Sequence, residues 1–101
     1  MKVVVTNDAV PFAVELQDVI RITGKGTPQS EISIEIIKGP VKVIEINEIE
    51  KRVEGKLFSG PKITEFTLKP TGAGKVEAVV TVSLPLSEIQ PEKTTYKFEI
   101  R

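Results

Sequence analysis

The sequence predicts an all-β fold in which about seven short strands form an antiparallel β-sandwich. Apolar and polar residues alternate with a period of two in several segments, as is typical of half-buried strands. These segments are rich in β-branched and aromatic residues, and turn signals that contain Gly or Pro recur about every ten residues. The chain has 101 residues and no linker or internal repeat, so we expect a single domain over residues 1–101.

The alternation is clearest in three segments, at residues 32–36, 76–84 and 96–100. In each segment every second residue is apolar and most of the residues between are polar, so one face is expected to lie in the core. The residues on this predicted inner face are Ile32, Ile34, Ile36, Val76, Ala78, Val80, Val82, Leu84, Tyr96, Phe98 and Ile100.

The N-terminal third carries weaker strand signals. The segment from Lys2 to Thr6 is interpreted as a first strand, and residues 14–16 as a short edge strand. Residues 18–23 are expected to form a strand with both isoleucines pointing inward. Residues 24–28 contain two glycines and a proline, which predicts a turn.

Two further strands are predicted in the middle of the chain. Residues 63–69 alternate so that Phe66 and Leu68 lie inward. Residues 41–46 break the alternation, and a β-bulge near Val43 and Ile44 would place all four apolar residues of this segment inward. Such bulges are common at the edges of sheets.

The segment from Asn47 to Lys56 is compatible with two interpretations. Ile49 and Val53 are four residues apart, which permits one or two helical turns, but the same segment also alternates. Gly55 and the neighbouring strands favour extended structure, so a strand is predicted. Residues 70–74 contain Pro and two glycines and are expected to form a hairpin loop.

The patterning resembles prokaryotic immunoglobulin-like and fibronectin type III-like modules. The segments that carry the resemblance are DVIRITG at 18–24, SEISIEI at 30–36, GKVEAVVTV at 74–82, LP at 84–85 and YKF at 96–98. The resemblance implies an immunoglobulin-like antiparallel sandwich of about seven strands. It also implies a role as a spacer, an adhesion unit or an assembly module of a larger or surface-located protein. The Cys…Trp…Cys core of true immunoglobulin domains is missing from this sequence.

Composition excludes several kinds of chemistry. The chain has no Cys and no His, which removes the usual ligands of zinc, copper and iron and the common nucleophile–base pairs. The 14 basic and 14 acidic residues are interspersed, so no basic stripe suited to nucleic acid is present. No apolar run is long enough to span a membrane. Abundant Glu, Lys, Ile and Val resemble the composition of thermophile proteins.

The sequence offers three groups of candidate site residues: a carboxylate cluster, a set of oxygen ligands and two aromatic residues. The densest carboxylate cluster is expected to be a solvated face beside basic neighbours rather than an acid–base pair. Its members and their neighbours are Glu45, Glu48, Glu50, Glu54, Lys51 and Arg52. For calcium, the possible oxygen ligands are Asn7, Asp8 and Asp18, although we expect Asn7 and Asp8 to form an Asx-type turn and Asp18 to open a strand. For glycans, Phe12 and Phe58 are the aromatic residues nearest to turns.

No catalytic, cofactor-binding or metal-binding residue is therefore assigned, and no cofactor is expected. The sequence predicts a non-enzymatic structural or protein-interaction module, as part of a surface or multi-subunit assembly. The alternative is a ligand-binding module for glycan or calcium. The expected partner is another protein or a second copy, bound through the sheet edge formed by Lys2 to Thr6, whereas residues 41–46 are interpreted as a guarded edge. Because no signal peptide is recognisable, the chain is expected to be cytoplasmic as given, or extracellular if it is an excised or processed domain.

Overall fold

The structure is a computed structural model that describes residues 3–6, 12–27, 29–49, 52–53, 56–57, 62–84 and 90–101. These residues form strands and connections without a helix. The strands are β1 (Val3–Thr6), β2 (Phe12–Val14), β3 (Val19–Gly26), β4 (Glu31–Lys38), β5 (Val41–Ile49), β6 (Arg52–Val53), β7 (Lys56–Leu57), β8 (Lys62–Pro70), β9 (Gly74–Ser83) and β10 (Glu92–Ile100).

Two four-stranded sheets form the sandwich, and this confirms the predicted fold class. Sheet A has the order β1-β3-β8-β5 and sheet B the order β2-β10-β9-β4, while β6 and β7 form a separate two-stranded ribbon. The two sheets thus contain eight strands, one more than the seven expected.

The sheets are mostly antiparallel, as expected, but the two short N-terminal strands differ. The six long strands pair antiparallel, whereas β1 lies parallel to β3 and β2 lies parallel to β10. A parallel pair needs a crossover connection. Here the chain leaves β1 in sheet A, forms β2 in sheet B and then returns to sheet A as β3.

The core lies between the sheets and contains the inward residues that the alternation predicts. Fully buried apolar side chains come from β2, β3, β8, β9 and β10: Val14, Ile20, Ile22, Phe66, Leu68, Val76, Ala78, Val80, Tyr96, Phe98 and Ile100. The alternating isoleucines of β4 are only half-buried, because β4 is an edge strand of sheet B. Parity along β3, β4, β8, β9 and β10 was therefore predicted correctly, and the depth of burial depends on position in the sheet.

The turn expected at residues 24–28 begins later than the sequence suggested, because Gly24 and Gly26 belong to β3. A Cβ atom on Gly24 would lie 2.6 Å from Cγ2 of Ile32, and one on Gly26 would lie 2.7 Å from Cβ of Ser30. Glycine inside a strand marks such close approaches as well as turns. These glycines let β3 pass close to β4 where the chain changes sheets.

Residues 70–74 do not form the predicted hairpin. They join β8 to β9, and these two strands lie in different sheets. The connection is therefore an arch between the two sheets. The sequence could not distinguish it from a hairpin, because both kinds of connection use Gly and Pro. Gly74 has φ of +151° there, and Gly39, in the connection between β4 and β5, has φ of +112°.

Strand β5 carries the predicted bulge, but its apolar side chains are not all buried. The register with β8 shifts between Val43 and Glu45, as expected. Ile44 and Ile46, predicted to lie inward, are 48% and 62% exposed. The bulge restores the parity of Ile46 with the buried Phe66, but β5 is the outermost strand of sheet A among the described residues, and its second half is exposed.

The ambiguous segment from Asn47 to Lys56 is extended wherever the structure describes it. Residues 47–49 complete β5, residues 52–53 form β6, and Lys56 begins β7. Residues 50, 51, 54 and 55 lie outside the described residues. The strand interpretation is therefore confirmed for the described part of this segment.

Candidate functional site: the tip of the sandwich

Three connections leave from and return to one end of the sandwich. In sheet A, Gly26 at the end of β3 pairs with Lys62 at the start of β8, and Ile49 at the end of β5 pairs with the next residue of β8. In sheet B, Ser83 near the end of β9 pairs with Glu31 at the start of β4. We call this end, with connections 27–30, 50–61 and 84–91, the tip.

The connection between β3 and β4 is held by its own hydroxyl groups. The backbone N–H of Ser30 donates to the carbonyl of Thr27 at 3.0 Å, and the N–H of Thr27 donates to Oγ of Ser30 at 2.9 Å. The two side-chain oxygens are also within hydrogen-bond distance, at 3.0 Å. Ser30 is only 3% exposed whereas Thr27 is exposed, so the pair is anchored at its buried Ser30 end and holds the turn against the sandwich.

Lys62 joins this turn to the two neighbouring strands of sheet A. Its ammonium group donates to the carbonyl oxygen of Ser30 at 3.0 Å and forms an ion pair with Glu48 of β5 at 3.3 Å. One side chain on β8 therefore contacts both β5 and the turn that enters sheet B. This arrangement ties the two sheets together at the tip.

A groove of about 230 Å³ runs between the β3–β4 turn and the start of the β9–β10 connection. Its apolar wall includes Val82 and Leu84, and Lys25 and Glu92 lie among its polar residues. A Cβ on Gly26 would lie 2.9 Å from Cγ1 of Val82. Glycine at this position therefore allows the turn to pack against β9.

A larger cleft, of about 500 Å³, lies on sheet B toward the opposite end. Four of the charged side chains in its wall form ion pairs: Lys97 with Glu77 of the neighbouring strand at 3.6 Å, and Arg101 with Glu99 two residues away at 3.2 Å. Such surface ion pairs are the usual composition of a solvated outer face. We therefore take the tip, and not this cleft, as the candidate site.

The possible calcium ligands are not brought together in the described part of the chain. Asp18 is 5% exposed and lies at the end opposite the tip. Its Oδ2 accepts a hydrogen bond from the N–H of Glu15 at 2.9 Å, and its own N–H donates to the carbonyl of Glu15 at 3.0 Å. Asn7 and Asp8 lie outside the described residues. Among the residues that are described, no three His, Cys, Asp or Glu side chains cluster as a metal site would require.

Two members of the carboxylate cluster, Glu45 and Glu48, lie in the described part of the chain. Both are exposed on β5, and Glu48 pairs with Lys62. Glu50, Lys51 and Glu54 lie outside the described residues, and only the backbone of Arg52 is described. The described carboxylates match the solvated face that the sequence predicts.

Of the two candidate aromatic residues for glycan binding, Phe12 belongs to the edge of the core. It is half-buried, and its ring stacks on Phe98 with a centroid distance of 4.9 Å and an interplanar angle of 13°. Phe58 lies outside the described residues. Phe12 therefore packs against the core through its contact with Phe98, although its position after Pro11 is also compatible with exposure near a turn.

Sequence reasoning missed the tip as a site. The signal was present in two features: Thr27 and Ser30 are spaced for a hydroxyl-stapled turn, and two glycines precede them. The spacing alone could not show that this turn lies beside two other connections, because that depends on strand pairing.

No helix within the described ranges is long and apolar enough to cross a membrane.

Comparisons with known proteins identify the fold. The sequence matches no family model and no curated protein. Among solved structures, the chain is similar to the cysteine protease inhibitor EhICP2 from Entamoeba histolytica, with a TM-score of 0.81 and 19% identity over 99% of this chain and 96% of that one. It is also similar to Amebosin, with a TM-score of 0.69 and 13% identity over 99% of this chain and 97% of that one. The chain therefore has an immunoglobulin-like β-sandwich fold that it shares from end to end with a cysteine protease inhibitor.

Proposed function

We propose that this chain is a non-enzymatic protein-binding module that inhibits cysteine proteases. The observation that carries the proposal is the end-to-end similarity to EhICP2, at a TM-score of 0.81. The match covers 99% of this chain and 96% of the neighbour, so the fold is shared over nearly all of both chains. A shared fold alone does not determine function, and the tip geometry supplies the second argument.

The tip is the part of the molecule best shaped to enter an enzyme cleft. Active sites are concave, and a flat sheet face cannot enter them. At the tip, the described part of the β3–β4 turn lies beside the start of the β9–β10 connection at the end of the sandwich. The β3–β4 turn is already fixed by the Thr27–Ser30 pair and by Lys62, so little conformational freedom remains to be lost when it binds.

Inhibition of this kind is reversible. With no Cys in the chain, no disulfide can form with the catalytic thiol of the protease. The inhibitor would instead occupy the cleft and block substrate access through non-covalent contacts. Full activity of the protease should therefore return after dilution of the complex.

The proposal is tested by titrating papain, with a fluorogenic peptide substrate, against the purified chain. We expect stoichiometric, reversible inhibition of papain and none of trypsin, which has no catalytic thiol. Ser30→Ala removes the side-chain hydrogen bonds between Ser30 and Thr27. It should raise the inhibition constant by about tenfold, which corresponds to ~1.4 kcal/mol, the scale of one hydrogen bond. Lys75→Ala, an exposed change away from the tip, is the matched control and should leave the constant unchanged.

Two results would contradict the proposal. The first is a folded protein that leaves papain fully active when it is present in large excess. The second is equal weakening by Ser30→Ala and Lys75→Ala, which would place the contact somewhere other than the tip.

A further inference from the structure

The free edge of β5 changes character halfway along the strand. β5 is the outermost strand of sheet A and pairs only with β8 among the described strands. Its first half is protected, because the register shift between Val43 and Glu45 disrupts the ladder and Lys42 lies beside it. From Glu45 to Ile49 the pairing with β8 is regular, and this stretch contains neither Lys nor Pro. Five residues of regular strand are therefore left open to a further strand.

The same stretch exposes large apolar side chains. Ile46 pairs with Phe66, which is 1% exposed, so both point to the inner side of sheet A, yet Ile46 is 62% exposed. Its neighbours Ile44 and Ile49 are 48% and 41% exposed. Ile49 pairs with Ile63 and therefore faces the outer side of sheet A, so this edge exposes apolar side chains on both of its faces, with Ile46 the most exposed.

Charge around this edge is acidic toward the tip. Gly39 and Pro40 alone join β4 to β5, so the outer edges of both sheets lie on one side of the sandwich. The acidic residues on these two strands are Glu31, Glu35, Glu45 and Glu48, and their basic residues, Lys38 and Lys42, lie toward the opposite end. Only Glu48 of these carboxylates forms an ion pair with another described residue.

We propose that the edge of β5 from Glu45 to Ile49 binds an extended segment of a partner protein in which branched apolar residues alternate with Lys or Arg. The segment would add to sheet A as a fifth strand. Its backbone would pair with the open edge, its apolar side chains would cover Ile46, and its cations would lie against the carboxylates. This surface is separate from the tip and goes beyond protease inhibition.

Charge also argues against a second copy as the occupant. Antiparallel pairing of two β5 strands about Ile46 would place Glu45 opposite Asn47 and Glu48 opposite Ile44 of the other copy, so neither carboxylate would gain a cation. Opposite-charge pairs across strands stabilise a sheet. A basic segment gains from the same carboxylates.

The test uses a synthetic peptide that alternates Lys and Val, with a Glu–Val peptide of equal length as the control. Both are titrated into the ¹⁵N-labelled protein at low salt. We expect the Lys–Val peptide to shift the amide resonances of residues 44–49 and to bind more weakly as salt is added. The Glu–Val peptide should produce no shift.

Two variants locate the site. Ile46→Lys should weaken binding of the Lys–Val peptide at least tenfold, because it places a cation at this edge, and its exposed position preserves the fold. Val3→Lys makes the same change on the opposite edge of sheet A, where Val3 is 41% exposed, and should leave binding unchanged. Both variants should inhibit papain as the parent does, which separates this test from the test of the tip.

Three outcomes would overturn the inference. The first is peptide-induced shifts centred on β1 or on the tip. The second is equal binding of the two peptides. The third is concentration-dependent dimerisation through β5 that Ile46→Lys abolishes, because the occupant would then be a second copy of this chain.

Discussion

Gly24 of β3 lies against side chains of sheet B, and replacing it with alanine tests this close approach of the sheets. Gly24 lies on the inner face of β3 and is buried. A Cβ at this position would lie 2.6 Å from Cγ2 of Ile32, 3.1 Å from Cγ1 of Val80 and 3.9 Å from Cε2 of Phe66. Since the first two atoms belong to sheet B, Gly24→Ala would push the sheets apart near the tip.

The expected cost follows from two opposing effects. Overpacking of a filled core costs about 1–3 kcal/mol. Gly→Ala at a compatible backbone position returns ~0.4–1 kcal/mol by restricting the unfolded chain. The net loss in the free energy of unfolding should be about 1–2 kcal/mol. In a chain of this size each kcal/mol lowers Tm by roughly 4–8 °C.

Urea denaturation of the parent and of two glycine variants measures this loss. Gly72→Ala is the matched control, because its Cβ would meet only Pro40, with the nearest atom at 3.4 Å. It should change stability by no more than about 0.5 kcal/mol. The cost of Gly24→Ala should also shrink in an Ile32→Ala background, where the colliding methyl group is absent. A Gly24→Ala protein as stable as the parent, or an undiminished cost in that background, would refute the proposed close approach of the sheets.

Three other changes test the packing and the edges by urea unfolding or light scattering. Phe98→Ala removes a buried ring and should cost about 3–5 kcal/mol, whereas Thr81→Ala, on the outer face of β9, should stay within about 0.5 kcal/mol; equal losses would contradict the strand register. Asp18→Ala removes the acceptor for the N–H of Glu15 and should cost about 1.5–3 kcal/mol, and a neutral result would show that this turn needs no side-chain bond. Val4→Pro removes a backbone donor from β1 and should abolish any self-association, which the sequence predicts through this edge; a folded variant that assembles normally would exclude β1.

The fold class and the inner faces could be predicted from sequence because burial of one strand face imposes a period of two. The alternation in β3, β9 and β10 therefore placed Ile20, Val80 and Phe98 in the core correctly. The alternation does not show to which of the two sheets a strand belongs. Residues 70–74 show this, since Gly and Pro serve an arch between sheets as well as they serve a hairpin.

Exposure and site geometry could not be predicted for the same reason. Ile46 has inward parity, but whether another strand covers it depends on how far sheet B extends. The glycines at 24 and 26 read as turn residues because the close neighbours that require them, Ile32 and Ser30, are seen only once the sheets are packed. Likewise, the meeting of three connections at the tip follows from strand pairing and not from local composition.

The most direct test of the central claim is to map where a cysteine protease contacts this chain. The ¹⁵N-labelled protein is mixed with papain whose catalytic cysteine has been methylated, and amide shifts are followed residue by residue. Binding through the tip predicts that the largest changes occur at Thr27, Ser30, Leu84 and Gln90, with Gly39 and Asp18 at the opposite end unchanged. Changes centred on the opposite end or on a sheet face, with the tip unaffected, would contradict the claim.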